Sequence, residues 1–204
     1  PDLVLELGEP GLAPLVAAAR QRGARVLSYL ADPGRPLAAP AELAARDGWL
    51  CPSWSMAQWC QQRLGLRPEV LRDLVAAPPA RLDNLAPERL AARAGRAVTL
   101  FHPEPEKGGL WFINLAAQMF KQAPGLRFVA VGGRWGPAQW QAAGVDLAAL
   151  PNLTWQPEPE PGARGALWQD AALLLVPSLG FEASVPVVAE GLLAGVPVLA
   201  MRSG

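Results

Sequence analysis

The chain is poor in most features that would place it quickly. It has one histidine, one tyrosine, two cysteines and three methionines in 204 residues. It has no excess charge, with 18 Lys plus Arg against 18 Asp plus Glu. Before Ala94 there are 11 basic and 10 acidic residues, which leaves 18 − 11 = 7 basic and 18 − 10 = 8 acidic after it. Neither half carries the basic footprint of a nucleic-acid binder, so no nucleic-acid partner is expected. Cys51 and Cys60 are too few for a disulfide framework, and their spacing fits no zinc motif. Two reduced thiols and no metal site are expected. No apolar run reaches the roughly 18 residues of a membrane-spanning helix. No signal peptide pattern occurs. Proline and glycine are plentiful instead, 22 and 20 residues. The apolar fraction of 51% excludes a disordered chain. At roughly 150 residues per domain, the length allows one large domain or two small ones. The sequence opens on Pro1 and stops at Gly204, just past an apolar run. It therefore reads as part of a longer protein.

Strand-like and helix-like segments alternate. Strands are expected at 2–7, 25–30, 48–51, 70–75, 97–101, 127–131, 153–156, 172–176 and 196–200. Helices are expected at 12–22, 41–46, 53–64, 109–122, 137–143, 163–170 and 186–194. The helix at 12–22 has Leu12, Leu15, Val16 and Ala19 at helical spacing with Gly23 as a stop, and that at 53–64 has Ser53 as cap and Gly65 as stop. Residues 76–96 lose this rhythm and read as a linker with a short helix at 87–93. Alternating strands and helices of this kind make βαβ units and a parallel sheet. The strands are almost continuously apolar, as in Leu173-Leu174-Leu175-Val176, which fits sheets covered on both faces. Of the eight tryptophans, Trp49, Trp54, Trp59, Trp111, Trp140, Trp155 and Trp168 fall in or beside expected elements and are read as core or domain-face packing groups. Ligands of open parallel sheets bind beyond the carboxyl ends of the strands. The loops after Phe101, Val131, Val176 and Ala200 are therefore the ones to inspect.

Two of these loops carry chemistry. After Val176 the chain reads Pro177-Ser178-Leu179-Gly180-Phe181-Glu182, and Glu190 follows eight positions on. Pro186 suits the first position of a helix, because its missing N–H costs nothing there. Ser184 or Val185 then lies at the cap, and the first N–H groups of the helix offer an anion site. Glu182 in the loop and Glu190 one turn inside could both face a ligand. A carboxylate can accept two hydroxyl hydrogen bonds, which suits vicinal sugar or ribose hydroxyls. The alternative is a solvated Glu182 and a Glu190 that is only a surface charge. After Phe101 the chain reads His102-Pro103-Glu104-Pro105-Glu106-Lys107-Gly108-Gly109. Lys107 is one of only two lysines, against sixteen arginines. A compact ammonium at a strand-to-helix turn, beside N–H groups freed by Gly108, could meet a diphosphate. The order is not that of a P-loop, and a solvated lysine is the alternative. His102 at a strand end has either a ligand contact or a local role, and Gly133 either approaches a ligand or simply turns the chain.

These residues carry a resemblance. The chain resembles glycosyltransferase family 4, the group 1 glycosyltransferases. Glu182 to Glu190 matches the E-x7-E motif of that family, with Pro177-Ser178 before it and Ala194-Gly195-Val196-Pro197-Val198 after it. The strand leading to Lys107-Gly108-Gly109 resembles the start of the family's C-terminal domain, and residues 1–75 resemble the second half of its N-terminal domain. The resemblance implies an α/β chain of the GT-B fold, two Rossmann-like domains with parallel sheets, truncated at both ends. Residues 1–80 would belong to the acceptor-side domain, 81–96 to a linker and 97–204 to the nucleotide-sugar-binding domain.

The resemblance also implies a function. The intact protein would be a metal-independent, retaining enzyme of glycan biosynthesis. It would transfer a sugar from a nucleotide diphosphate donor to a glycan, lipid or small-molecule hydroxyl, with no cofactor beyond that donor. A catalytically inactive nucleotide-sugar-binding relative is the other reading. Glu182 would contact the donor sugar and Lys107 the diphosphate as the catalytic pair. Glu190 would hold the ribose, helped by Ser184, Val185, Gly108, Gly133 and His102 around the donor. The setting implied is cytoplasmic, at the inner face of the membrane if contact there is peripheral. The 204 residues alone are expected to be inactive. Two departures stand out. Val185-Pro186 replaces the Gly-Arg pair common in the family, and no Arg precedes Lys107 in the Phe101-His102-Pro103 stretch.

Overall fold

The structure, a computed structural model, describes residues 2–73, 88, 96–160 and 163–203. These residues fall into two units, one of 2–73 with 181–184 and one of 96–180 with 185–203. The expected linker at 81–96 and its short helix at 87–93 lie almost wholly outside the described residues.

The first unit has four parallel strands in the order β1-β2-β3-β4. They are β1 (Leu3–Glu6), β2 (Arg25–Tyr29), β3 (Gly48–Cys51) and β4 (Glu69–Val70). The helices α1 (Ala13–Gln21), α2 (Pro40–Ala44) and α3 (Trp54–Leu64) connect them. Helix α3 starts and stops where the sequence signals it. The Ser53 side chain accepts the Met56 N–H at 3.1 Å, and Gly65 ends the helix in the left-handed region. Leu43, Cys51, Met56 and Cys60 bury on one side of the sheet, and Val16, Ala19 and Val26 on the other. Of the expected strand at 70–75, Val70 belongs to β4 (Glu69–Val70) and 71–73 lie past it, while 74 and 75 are outside the described residues. Leu71 still donates its N–H to the Cys51 carbonyl, but the chain then leaves the sheet, and the Asp73 carboxylate accepts from the Tyr29 hydroxyl at 2.7 Å.

The second unit has five parallel strands in the order β7-β6-β5-β8-β9. They are β5 (Ala97–Phe101), β6 (Arg127–Val131), β7 (Leu153–Gln156), β8 (Ala171–Val176) and β9 (Val198–Ala200). The crossovers contain α4 (Gly109–Gln122), α5 (Pro137–Ala142), α6 (Gly165–Asp170) and α7 (Pro186–Leu193). Read from the first strand of the unit, the order is third, second, first, fourth, fifth. This is the doubly wound arrangement, and its direction reverses between β5 and β8. Every residue of β5 is buried. Val98 and Leu100 pack with Phe112, Ile113 and Phe128 on one face, while Ala97 and Phe101 pack with Val131, Trp168 and Leu174 on the other. A strand buried on both faces is almost continuously apolar, which is why β5 shows no alternation, with Thr99 its one polar residue.

Three expectations change here. Strand β9 is shorter than 196–200, because Pro197 has no N–H and Val196 turns back to bond the Gly191 carbonyl. Sheet coverage is uneven: Leu3 and Leu5 of β1 and Leu199 of β9 are exposed on edge strands. Trp54 and Trp111 are exposed by 71% and 47%, so they are not core groups, whereas Trp140 and Trp168 are.

Candidate functional site

The reversal between β5 and β8 opens a crevice at the carboxyl end of the second sheet. The loop after β5 is gripped from three sides. The Trp140 indole donates to the Pro103 carbonyl at 3.1 Å. The Leu179 N–H, from the loop after β8, donates to the Glu106 carbonyl at 2.9 Å. The Arg134 N–H, from the loop after β6, donates to Glu104 Oε1 at 2.7 Å. The loop itself is a single 3-10 turn, Pro105–Lys107, ending at Gly108 with φ 80°. A side chain at Gly108 would press on the Pro177 carbonyl, so the two loops approach closely only because this residue is glycine.

Lys107 stands at the end of that turn, directly ahead of α4. The expectation of N–H groups freed by the glycines is corrected. Lys107 and Gly109 both donate to the Glu104 carbonyl, at 3.0 and 2.9 Å, and Gly108 donates to the Pro105 carbonyl at 3.0 Å. The 3-10 turn consumes these donors. Gly133 packs against protein. A Cβ there would lie 3.0 Å from both Glu104 Oε1 and the His102 Cα.

Glu190 lies in α7, the fifth residue from its start at Pro186, and is buried. Val185 is the N-cap, with no side-chain cap bond, and the first turn closes when the Val188 N–H reaches the Val185 carbonyl. The N–H groups ahead of Val188 thus begin a helix at the crevice, as the Pro186 signal predicted. Glu182 and Ser184 belong to the segment 181–184, which groups with the first unit. The structure therefore collects His102, Lys107, Gly108, Gly133, Val185 and Glu190 in one unit and assigns Glu182 and Ser184 to the other.

The sequence reading missed the partner of Glu190. Arg164 Nη1 donates to both Glu190 oxygens at 2.8 Å. Its Nη2 donates to Glu158 Oε1 at 2.6 Å, and the other Glu158 oxygen lies 2.7 Å from His102 Nε2. The guanidinium also lies over the Phe101 ring, 5.4 Å from its centroid. His102 is the sole non-glycine residue with positive φ among the described residues, at 54°. Such strain gathers at functional sites. A cavity of about 360 Å³ is lined by Thr99 and Val129 of the sheet, by Gln156, Pro157, Pro159 and Ala163, and by Ala166, Leu167 and Asp170 of α6. Among the described residues, no group of three or more His, Cys, Asp or Glu could hold a metal ion, and no helix is long and apolar enough to cross a membrane.

No family model matches the chain, and no curated protein sequence matches it. Solved structures do. The chain is similar to a glycosyltransferase from Rickettsia africae, with a TM-score of 0.75 at 14% identity over 100% of this chain and 58% of that one. It is similar to Anabaena HepE in complex with UDP-glucose, with a TM-score of 0.71 at 16% identity over 100% and 60%. The pneumococcal O-GlcNAc transferase GtfA, in complex with UDP and GlcNAc, gives 0.71 at 12% identity over 99% and 42%. The chain therefore has the α/β architecture of GT-B glycosyltransferases and spans about half the length of these neighbours.

Proposed function

We propose that this chain is part of a glycosyltransferase of the group 1 type, and that its second unit binds the nucleotide-sugar donor. The observation that carries this reading is the joining of the Lys107 loop and the Pro177 loop at the point where the strand order reverses, with Glu190 one turn inside the helix that follows. Neighbours of the same fold are crystallised with UDP or UDP-glucose.

In this reading Glu190 accepts the ribose hydroxyls. Lys107 with the start of α4 meets the diphosphate. Glu182 contacts the donor sugar, and the Ser184 and Val185 amides help hold phosphate and sugar. The acceptor hydroxyl forms its bond to the anomeric carbon as the bond to the diphosphate breaks, with retention. The hydroxyl proton leaves on the departing phosphate. No metal is needed where an ammonium and a helix end stabilise the developing charge. The donor pool implied is cytoplasmic, and a lipid acceptor would put the enzyme at the inner face of the membrane.

Calorimetric titration with UDP, ADP and GDP tests this. Binding of one of them is expected, weakened tenfold or more by Lys107→Ala and by Glu190→Ala. Absence of binding, or binding that both variants leave unchanged, would overturn the assignment. Sugar transfer is expected only from a longer protein that includes this chain; binding without turnover there would favour the inactive relative.

A further inference from the structure

One polar side chain in the centre of the second sheet has no partner. Thr99 is the third residue of β5, and the alternation of the strand puts its side chain on the face where Ala97 and Phe101 pack. It is 2% exposed, and among the described residues its hydroxyl forms no hydrogen bond. Valine would have the same shape, so the hydroxyl adds the penalty of a buried polar group and nothing to the packing. Thr99 lines the cavity of about 360 Å³, a volume within the range of small-molecule sites. That cavity runs along the sheet face. Val129, which pairs with Thr99 in the sheet, lies beside it. Gln156 marks the carboxyl end, as the last residue of β7. Asp170 marks the amino end, since it precedes Ala171, which pairs with the first residue of β5. Lys107 and Gly108 lie instead beyond the end of β5. The helix side leaves room because Ala166 is small, and Ala163 and Ala166 are exposed, which gives a way in.

We propose that this cavity is a binding site, separate from the Lys107 joint, for an uncharged, ring-sized molecule that is mostly carbon and turns one hydrogen-bonding group to Thr99. The charge pattern selects this class. Among the described residues that line the cavity there is no Lys, Arg or His. The one carboxylate, Asp170, is held by Arg127 at 2.7 Å. A phosphate would find no cation here, and a cation would have to compete with Arg127 for its counter-charge. Val129, Leu167 and two prolines offer an apolar lining, and covering it removes carbon surface from water. The Thr99 hydroxyl can donate or accept, so a phenol, an indole or a ring amide would satisfy it. This site does not depend on the nucleotide reading, which concerns an anionic ligand at the strand ends.

The test is saturation-transfer NMR titration of the 204-residue chain with 4-methylphenol, toluene and benzoate. The phenol is expected to bind about tenfold tighter than toluene, the contribution of one hydrogen bond, and at least about tenfold tighter than benzoate. Thr99→Val keeps the shape and should bring the phenol within about twofold of toluene. Ala166→Phe fills the cavity and should weaken both by about tenfold or more. Added UDP should leave the phenol signal in place. Circular dichroism identifies a misfolded variant. If Thr99→Val does not fold, Ala166→Phe, at an exposed helix position, decides. No binding of the phenol by the wild type, the cavity then holding water only, would overturn the proposal. So would a preference over toluene that survives Thr99→Val, or binding that Ala166→Phe leaves unchanged. Displacement of the phenol by UDP would make the cavity part of the donor site and overturn a separate one. Failure of UDP itself to bind would overturn the nucleotide reading alone, because the variant and probe comparisons do not use it.

Discussion

Gly108→Ala should destabilise the second unit, and its cost divides into two parts. The first is backbone. Gly108 has φ 80°, and a left-handed conformation costs an L-residue about 1–2 kcal/mol. The second is collision. The new methyl would overlap the Pro177 carbonyl, which belongs to a loop already fastened at Leu179. Overpacking of this kind costs about 1–3 kcal/mol. The sum is about 2–5 kcal/mol. Two controls in the same unit separate the parts. Gly144 has φ 87° and no atom within 4 Å of its would-be Cβ, so Gly144→Ala reads the backbone part alone. Gly109 has no positive φ, but its Cβ would meet the Pro103 carbonyl and lie 2.8 Å from Trp140 Cζ2, so Gly109→Ala reads collision alone. Urea unfolding followed by tryptophan fluorescence gives all three, because Trp140 and Trp168 are buried in this unit. Gly108→Ala should cost more than Gly144→Ala by at least about 1 kcal/mol. Equal costs would mean the two loops do not meet as described, and the joint that presents Lys107 would be wrong.

In the first unit, Glu6 accepts from Ser28, from the Gly8 N–H and from Arg46 Nε at 3.0 Å, with both charged side chains almost wholly buried. Glu6→Ala strands Arg46 and should cost about 3–5 kcal/mol by urea unfolding, and adding Arg46→Met should restore part of it; no recovery would refute the pairing. Burial pushes the Cys60 thiol up to about 12 and raises Cys51, so both should resist alkylation at pH 8 until the chain unfolds. The native state then holds protons that an unfolded thiol releases above about pH 8.5, so stability should fall as pH rises beyond that point, and Cys60→Ala should flatten the fall in Tm. Burial and the Asp73 bond raise Tyr29 as well, in the same direction. Nucleotide affinity should drop less than about threefold between 50 and 200 mM salt, since few exposed cations face the crevice; a steeper loss measured by calorimetry would mean that long-range charge drives binding.

How much of this was readable from the sequence depended on whether the signal was local. Helix α3 was legible because its start and stop are single residues, Ser53 and Gly65. Strands β5 and β8 were legible because central strands of a parallel sheet are almost continuously apolar, Thr99 being the one polar residue of the two. The start of α7 at Pro186 was legible for the same kind of reason. Strand β4 was not, because a two-residue strand has no period to read. The exposure of Trp54 and Trp111 was not, because helical position alone does not say which face is covered. The 3-10 turn at Pro105–Lys107 hid among prolines, and with it the use of the Gly108 and Gly109 N–H groups.

The charged chain behind Glu190 was the largest omission, and its cause is also non-local. Arg164 and Glu190 are 26 positions apart, and His102 and Glu158 are 56 apart. What the sequence did contain was position. His102, Glu158 and Arg164 follow β5 or β7, and every carboxyl end of this parallel sheet points the same way. Charged residues just past such strands are candidates for one another before they are candidates for a ligand. The acids Glu104, Glu106, Glu158 and Glu190 outnumber the cations Lys107, Arg134 and Arg164 at this end of the sheet. Selectivity for an anionic ligand must then come from the placement of individual donors, because no surplus of positive charge is there to supply it.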